Sequence, residues 1–205
     1  MVLPAQTLDL IRVYRIPFST NVERVALAAG HKGLAVEWID VDDADRSPVE
    51  AVSGQRLVPV LVAGDEIVTD SPVILEWLDA RFPDPPLLPR DPARRAEVRV
   101  FCDWFNRVWK RAPNAINDDG PTEALDAEMR GAVELFEALL ADRDYLFAEF
   151  GLADVTAFPF LKYPVLGTAA GDADSFHRVL VDFMPLRPES PLRDWVRRVD
   201  AHPRS

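Results

Sequence analysis

One cysteine, Cys102, is all that the 205 residues contain, so no disulfide can close within the chain and no pair of thiolates can hold a metal. Histidine is nearly as scarce, with only His31, His177 and His202, and there is no G-x-S-x-G stretch. Both absences argue against a Ser-His-Asp hydrolase. No apolar run approaches the ~18 residues of a membrane span. The opening "MVLPAQTLDLIRVY" lacks the basic n-region and apolar h-region of a secretory signal. A soluble protein of the cytoplasm is the expectation. Positive charge is also short, with 23 Lys and Arg against 34 Asp and Glu, a net charge of -11 and a pI near 4.7. That balance disfavours nucleic acid or an anionic membrane as partner and leaves a small molecule or a protein.

What is present is organised in two parts. The first eighty residues alternate strand and helix signals: "LDLIRVYRI" (Leu8 to Ile16), a helix over about Val22 to His31, then "AVEWIDV" (Ala35 to Val41). This is a βαβ pattern. "VPVLV" and "EIVT", joined by Ala63-Gly64-Asp65, read as a hairpin, and a helix over about Pro72 to Arg81 closes the unit. Five prolines in "FPDPPLLPRDP" rule out helix or internal strand there and mark a linker. The periodicity then becomes helical, with Val98, Phe101, Trp104, Phe105 and Val108 on one face and Leu125, Met129, Val133, Phe136 and Leu140 on another. The chain therefore divides into an α/β unit over 1–82, a Pro-rich linker over 83–92 and an all-helical domain over 93–205.

"LFAEFGLADVTAFPFLKY" (Leu146 to Tyr163) is apolar nearly all round, as a central helix would be. Asp154 lies three residues after Gly151, where a carboxylate can reach back to the backbone N–H of the cap. Its role reads as structural.

Three stretches of the first domain could hold a ligand. In "PFSTNVER", Thr20 and Glu23 form a T-x-x-E capping box, which leaves Ser19 outside the helix. There its hydroxyl sits at the carboxyl end of a strand and beside free N–H groups, where open α/β sheets bind ligands. With no triad in the sequence, Ser19 is a hydrogen-bond donor rather than a nucleophile. In "RLVPVLV", Pro59 removes a ladder donor and belongs at a bend or edge, leaving the N–H and C=O of Val58 to pair with an extended peptide. In "TDSPVILEWL", Ser71 is an N-cap with Pro72 at N1. A helix N-terminus with a hydroxyl suits a carboxylate, and Asp70 beside it suits an ammonium group. The zwitterionic end of an amino acid would satisfy both.

Taken together, these stretches resemble glutathione transferases of the serine-dependent kind, of tau, zeta or theta type. The quoted residues are "STNVERVALAAGHKGL", "LVPVL", "DSPVILEWL" and, after the Pro-rich linker, "GLADVTAFP". The resemblance covers nearly the whole chain. It implies a thioredoxin-like first domain that binds glutathione, an all-α second domain that lines the electrophile site, glutathione as cosubstrate, no metal, and a homodimer. It places the thiol activator at Ser19, a cis proline at Pro59, backbone pairing at Val58 and the γ-glutamyl end at Asp70 and Ser71. Asn21 and Arg56 join as candidate glutathione contacts, and Arg46 and Gln55 lie in the same loop as Arg56. Trp104 and Arg107 are candidates for the electrophile pocket. The chain departs from the family in having Asp where Glu is commoner at position 70, and Gly where Ser or Thr is usual at 151.

A free thiol of pKa ~8.5 is only a few per cent thiolate at neutral pH. Lowering that pKa by about two units takes ~2.7 kcal/mol. A hydrogen bond to a charged group supplies ~1.5 to 3 kcal/mol and a helix N-terminus ~0.3 to 1 kcal/mol, so Ser19 and its helix suffice. Serine rather than cysteine at this position disfavours disulfide exchange. The expected activity is conjugation of glutathione to a hydrophobic electrophile, with detoxification as its setting. The alternatives are a glutathione-dependent isomerase of the maleylacetoacetate type and a non-catalytic binding protein on the same fold.

Overall fold

A computed structural model describes residues 10–205, so the first residues of the expected opening strand, Leu8 and Asp9, lie outside the described part. The chain separates into two compact units. One ends at Arg81 and also takes in Arg204–Ser205, and the other is Phe82–Pro203.

The first unit is an α/β fold with strands β1 (Ile11–Arg15), β2 (Val36–Asp40), β3 (Val60–Ala63) and β4 (Glu66–Thr69). Its helices are α1 (Thr20–His31), α2 (Ser47–Ser53) and α3 (Ser71–Arg81). The sheet order is β2-β1-β3-β4, with β1 parallel to β2 across the α1 crossover and antiparallel to β3. β3 and β4 are antiparallel neighbours. All four residues of β3 are buried, which a strand covered on both faces requires. Val60 and Val62 join Val41 and Val49 in one cluster, with Tyr14, Ile16, Val52 and Val58 packed against it. Leu61 pairs with Val13 on the opposite face, as the two-residue period of a strand dictates. The hairpin turn is tighter than the sequence suggests. Ala63 pairs with Glu66, which leaves a two-residue turn of Gly64 and Asp65 with Gly64 at φ 59°, a backbone conformation that glycine adopts freely. Helix α2, read as loop in the sequence, starts with Pro48 in its first turn and ends at Gly54, φ 73°.

Every regular element described in the second unit is helical: α4 (Pro92–Trp104), α5 (Arg111–Asp119), α6 (Glu123–Leu139), α7 (Leu152–Leu161), α8 (Tyr163–Leu166), α9 (Ser175–Asp182) and α10 (Pro191–Asp200). A π turn over Phe105–Trp109 separates α4 from α5. It corrects one expectation. Val98, Phe101 and Phe105 are buried, but the next inward residue is Trp109, while Val108 is 42% exposed. The N–H of Lys110 bonds the carbonyl of Phe105, five residues back. That wider turn adds one residue to the period and rotates the face. Phe105 and Trp109 stack with centroids 4.3 Å apart, and both meet Phe136 of α6 and Phe160 of α7.

Helix α7 is buried along its whole length, including Asp154. Asp154 Oδ2 accepts from the Gly151 N–H at 3.1 Å, while Oδ1 accepts from the Leu146 N–H at 3.0 Å and the Trp195 indole at 2.8 Å. The carboxyl therefore fastens α7 to α10 and to the loop ahead of α7. Desolvation by burial pushes its pKa up to about 6, opposed by these hydrogen bonds. Gly151 has a separate constraint. A Cβ there would lie 2.6 Å from the Leu87 carbonyl oxygen, the same oxygen that accepts from the Leu152 N–H at 2.7 Å. Any side chain at this position would press on that carbonyl and force it to shift.

Two predictions follow from this helix. Gly151→Ala should lower the unfolding free energy by roughly 1–3 kcal/mol, the usual cost of overpacking, as read by denaturant titration. The Asp154 carboxyl binds its proton more tightly folded than unfolded. Its stabilising contribution is therefore complete below the ordinary carboxyl pKa and lost as pH rises through about 6, a difference of about 3 kcal/mol. Asp154→Asn should remove that slope from a stability-against-pH curve. An unchanged slope would assign the titration to another group.

Candidate functional site

β1 ends at Arg15, and Ile16, Pro17 and Phe18 lead to Ser19. Phe18 holds φ 61° with its ring 44% exposed, a conformation that costs a non-glycine residue of order 1–3 kcal/mol and is concentrated at functional sites.

Ser19, not Thr20, caps α1. The Ser19 carbonyl accepts from the Glu23 N–H at 3.0 Å, and its Oγ accepts from the Val22 N–H at 3.3 Å. Thr20 is the first helical residue and is buried. Glu23, which would have completed the T-x-x-E box, pairs with Arg204 at 3.1 Å. A hydroxyl has one proton and two acceptor sites. Capping uses an acceptor site, so the Ser19 proton remains available to a ligand.

The Val58–Pro59 peptide is cis. Pro59 is buried and Val58 half-buried, two residues before the first paired residue of β3. Val58 thus lies at the end of the strand, outside its ladder.

At the start of α3 the expected cap also shifts by one. The Asp70 carbonyl accepts from the Ile74 N–H at 2.9 Å, so Asp70 occupies the cap position, with φ 70° and an exposed side chain. Ser71 is the first helical residue and is 2% exposed. Its Oγ–H donates to Asn21 Oδ1 at 3.3 Å and its oxygen accepts from Arg24 Nη1 at 3.3 Å. The same Nη1 also donates to Asn21 Oδ1 at 3.3 Å. Arg24, itself 1% exposed, therefore joins the first turns of α1 and α3 through Asn21 and Ser71. At the far end of the helices Lys32 Nζ meets Asp79 Oδ1 at 2.8 Å. The two ties are eight residues apart on each helix, so α1 and α3 run parallel with their N-termini side by side. Ser19, Asn21, Asp70 and Ser71 are gathered at that shared end. His31 lies at the opposite end of α1, about 18 Å away at 1.5 Å per residue.

The loop cations are engaged with each other's surroundings. Arg56 pairs with Glu50 at 2.8 Å, Arg46 with Asp43, and the Gln55 amide donates to the Leu57 carbonyl at 2.8 Å. In the second unit, Trp104 is half-buried against Phe101 and Phe136, while Arg107 is exposed and pairs with Asp103 at 2.5 Å. That unit holds a cavity of about 510 Å³ between residues 86–91, Arg94, Val98 and residues 147–154, whose lining includes neither Trp104 nor Arg107. Arg24 belongs to the "STNVERV" stretch that carries the family resemblance but was given no role in the sequence; only the fold brings Ser71 to it. Among the described residues no cluster of His, Cys, Asp or Glu could hold a metal, and no helix is long and apolar enough to cross a membrane.

The chain is similar to known proteins in sequence and in fold. Residues 13–86 match the family model for the glutathione S-transferase N-terminal domain. Glutathione S-transferase U1 of Arabidopsis thaliana is 31% identical over 200 residues, covering 95% of this chain and 85% of that protein. Glutathione S-transferase Z1 of the same plant is 38% identical, but over 43% of this chain and only 42% of its own length. Among solved structures, a rice transferase in complex with glutathione has a TM-score of 0.74 at 25% identity, over 94% of this chain and 87% of that one. A maleylacetoacetate isomerase from Anaeromyxobacter dehalogenans has a TM-score of 0.64 at 26% identity, over 92% and 85%. With a relative matched along nearly its whole length and a thioredoxin-like unit followed by helices, the chain belongs to the glutathione S-transferase family of enzymes.

Proposed function

We propose that this protein activates the thiol of glutathione through Ser19 and transfers it to a hydrophobic electrophile. The observation that carries the reading is the Ser19 hydroxyl, which caps α1 with an acceptor site and so keeps its proton to donate. A thiolate placed there receives that hydrogen bond and the positive end of the α1 dipole together. Val58 presents strand-end backbone to the cysteinyl residue of the peptide, as β-augmentation requires. The exposed Asp70 carboxylate suits the γ-glutamyl ammonium, and the N-terminus of α3 suits the adjoining carboxylate. The complex of glutathione with the rice relative supports the choice of thiol.

The chemical step balances simply. Glutathione loses its thiol proton to solvent, the thiolate sulfur bonds to the electrophilic carbon, and a leaving group such as halide departs with the electron pair. Ser19 gives up no electron pair and forms no bond to carbon. A second reading, reversible addition of the thiolate to an unsaturated acid with isomerisation of its double bond, draws on the likeness to the Anaeromyxobacter isomerase. Turnover of a maleyl-type acid without conjugation of an aryl halide would favour it.

Ser19→Ala tests the central role. The variant should lose ~0.5–2 kcal/mol of stability with its cap. Its kcat/KM for aryl halide conjugation should fall about 10- to 100-fold, matching a lost hydrogen bond to a charged group. The acidic limb of its pH–rate profile should move up toward an ordinary thiol pKa near ~8.5. Full conjugating activity in the variant would remove Ser19 from the mechanism, and failure of the wild type to bind glutathione would remove the choice of thiol.

A further inference from the structure

The helical unit contains a cavity that the glutathione reading does not use. It holds about 510 Å³, within the ~300–1,000 Å³ of small-molecule sites, and its lining falls wholly within residues 86–154. Three walls meet there: the linker over 86–91, the first two turns of α4, and the loop over 147–151 that leads into α7. Each wall is tied to its neighbour. The Leu152 N–H bonds the Leu87 carbonyl at 2.7 Å. The Arg95 guanidinium donates to the carbonyls of Pro89 and Arg90 at 3.1 and 3.3 Å. Phe147 packs edge-on to Phe101 of α4 with centroids 5.5 Å apart. A site whose walls are already held in place loses little freedom when a ligand enters.

The lining is apolar within and charged at the rim. Leu87 and Val98 are each 2% exposed, and two half-buried rings, Phe147 and Phe150, face the space. Phe150 is backed by His202, stacked on it at 3.8 Å. Between the rings Ala148 holds φ 78°, which a non-glycine residue keeps only where its surroundings enforce it. Three of the five charged lining residues are engaged. Arg90 pairs with Asp84 at 3.4 Å, Asp91 accepts from the Arg94 N–H at 2.9 Å, and Asp154 accepts from Leu146, Gly151 and Trp195. Arg94 and Glu149 remain. Both are exposed, and among the described residues neither side chain has a hydrogen bond or ion pair. One free cation and one free anion therefore border the same apolar space without pairing with each other. A ligand of single charge would satisfy one and leave the other, whereas a zwitterion satisfies both. The two rings favour an aromatic body, which pairs with them offset or edge-on.

We propose that this cavity binds a free aromatic amino acid, its ring against Phe147 and Phe150, its carboxylate on Arg94 and its ammonium group on Glu149. The site is separate from Ser19, Val58, Asp70 and Ser71, and its occupancy does not depend on the thiol that they hold.

Calorimetry on the whole protein tests this with L-phenylalanine, phenylalanine amide and N-acetyl-phenylalanine, in wild type and in Arg94→Ala, Glu149→Gln and Val98→Phe. Wild type should bind phenylalanine saturably and one to one. Each single-charge analogue should bind about tenfold more weakly, as the loss of one hydrogen bond between charged groups requires. Arg94→Ala should weaken phenylalanine about tenfold without weakening the amide, which has no carboxylate to lose. Glu149→Gln should weaken phenylalanine about tenfold without weakening the N-acetyl compound, which has no ammonium group. Val98→Phe should abolish binding by filling the cavity. If that variant does not fold, the two rim variants decide alone, because they change exposed side chains only. Saturating glutathione should leave phenylalanine binding unchanged. The proposal is overturned by an absence of saturable binding, by a rim variant that weakens all three compounds equally, by unchanged binding in a folded Val98→Phe, or by displacement with glutathione.

Discussion

The parallel pairing of α1 with α3 is the constraint on which the rest of the first unit depends. Two polar ties fix it, Arg24 to Ser71 at one end and Lys32 to Asp79 at the other, each joining residues 47 positions apart. Apolar packing alone would hold the helices together without fixing how far one slides along the other. A slide of one turn would move ends by 5.4 Å, enough to separate Ser19 from Asp70 and Ser71. The Lys32 side chain is fully buried, and removing one partner of such a pair leaves an uncompensated charge inside the protein at a cost of about 3–5 kcal/mol. The register is therefore strongly specified, and with it the meeting of two helix N-termini at the end of the sheet.

What the site can do follows from how sparingly hydroxyl protons are used there. Ser19 spends an acceptor site on Val22 and keeps its proton. Ser71 has its proton on Asn21 and an acceptor site on Arg24. The two serines thus look alike in sequence and differ in where their hydroxyl protons are placed.

The fold was largely legible because its signals are local. Period-two strands, a Gly-containing hairpin, the proline cluster and the apolar helix after Gly151 all depend on neighbouring residues. The failures have tertiary causes. The cap falls on Ser19 rather than Thr20, and Glu23 pairs with Arg204 across 181 positions. The π turn at Phe105–Trp109 moves the buried face from Val108 to Trp109, and no side-chain pattern announces a change in backbone hydrogen bonding. Gly151 departs from the usual residue because the Leu87 carbonyl lies against it, a contact 64 positions away in sequence. Ser19, Val58, Asp70 and Ser71 were found as candidates because each sits at a punctuated end of an element. Arg24 was legible only as part of the stretch that carries the resemblance, and its contact with Ser71 comes from the fold.

The helix N-termini also separate structure from function on physical grounds. At α7 the Leu87 carbonyl takes the Leu152 N–H, and the Asp154 carboxylate reaches back to Gly151 and across to Trp195. Polar groups there face protein, and the whole helix is buried. At α4 the Asp91 carboxylate is spent on the Arg94 N–H. At α1 the cap is a neutral hydroxyl, and at α3 the capping residue turns an exposed carboxylate outward beside a buried serine. A neutral cap leaves the positive end of the α1 dipole uncompensated, which is what the proposed thiolate would use, and the α3 carboxylate is the one charge that the proposed γ-glutamyl ammonium would meet. The same element of secondary structure is closed where it holds the helical unit together and left receptive where two of them meet at the end of β1.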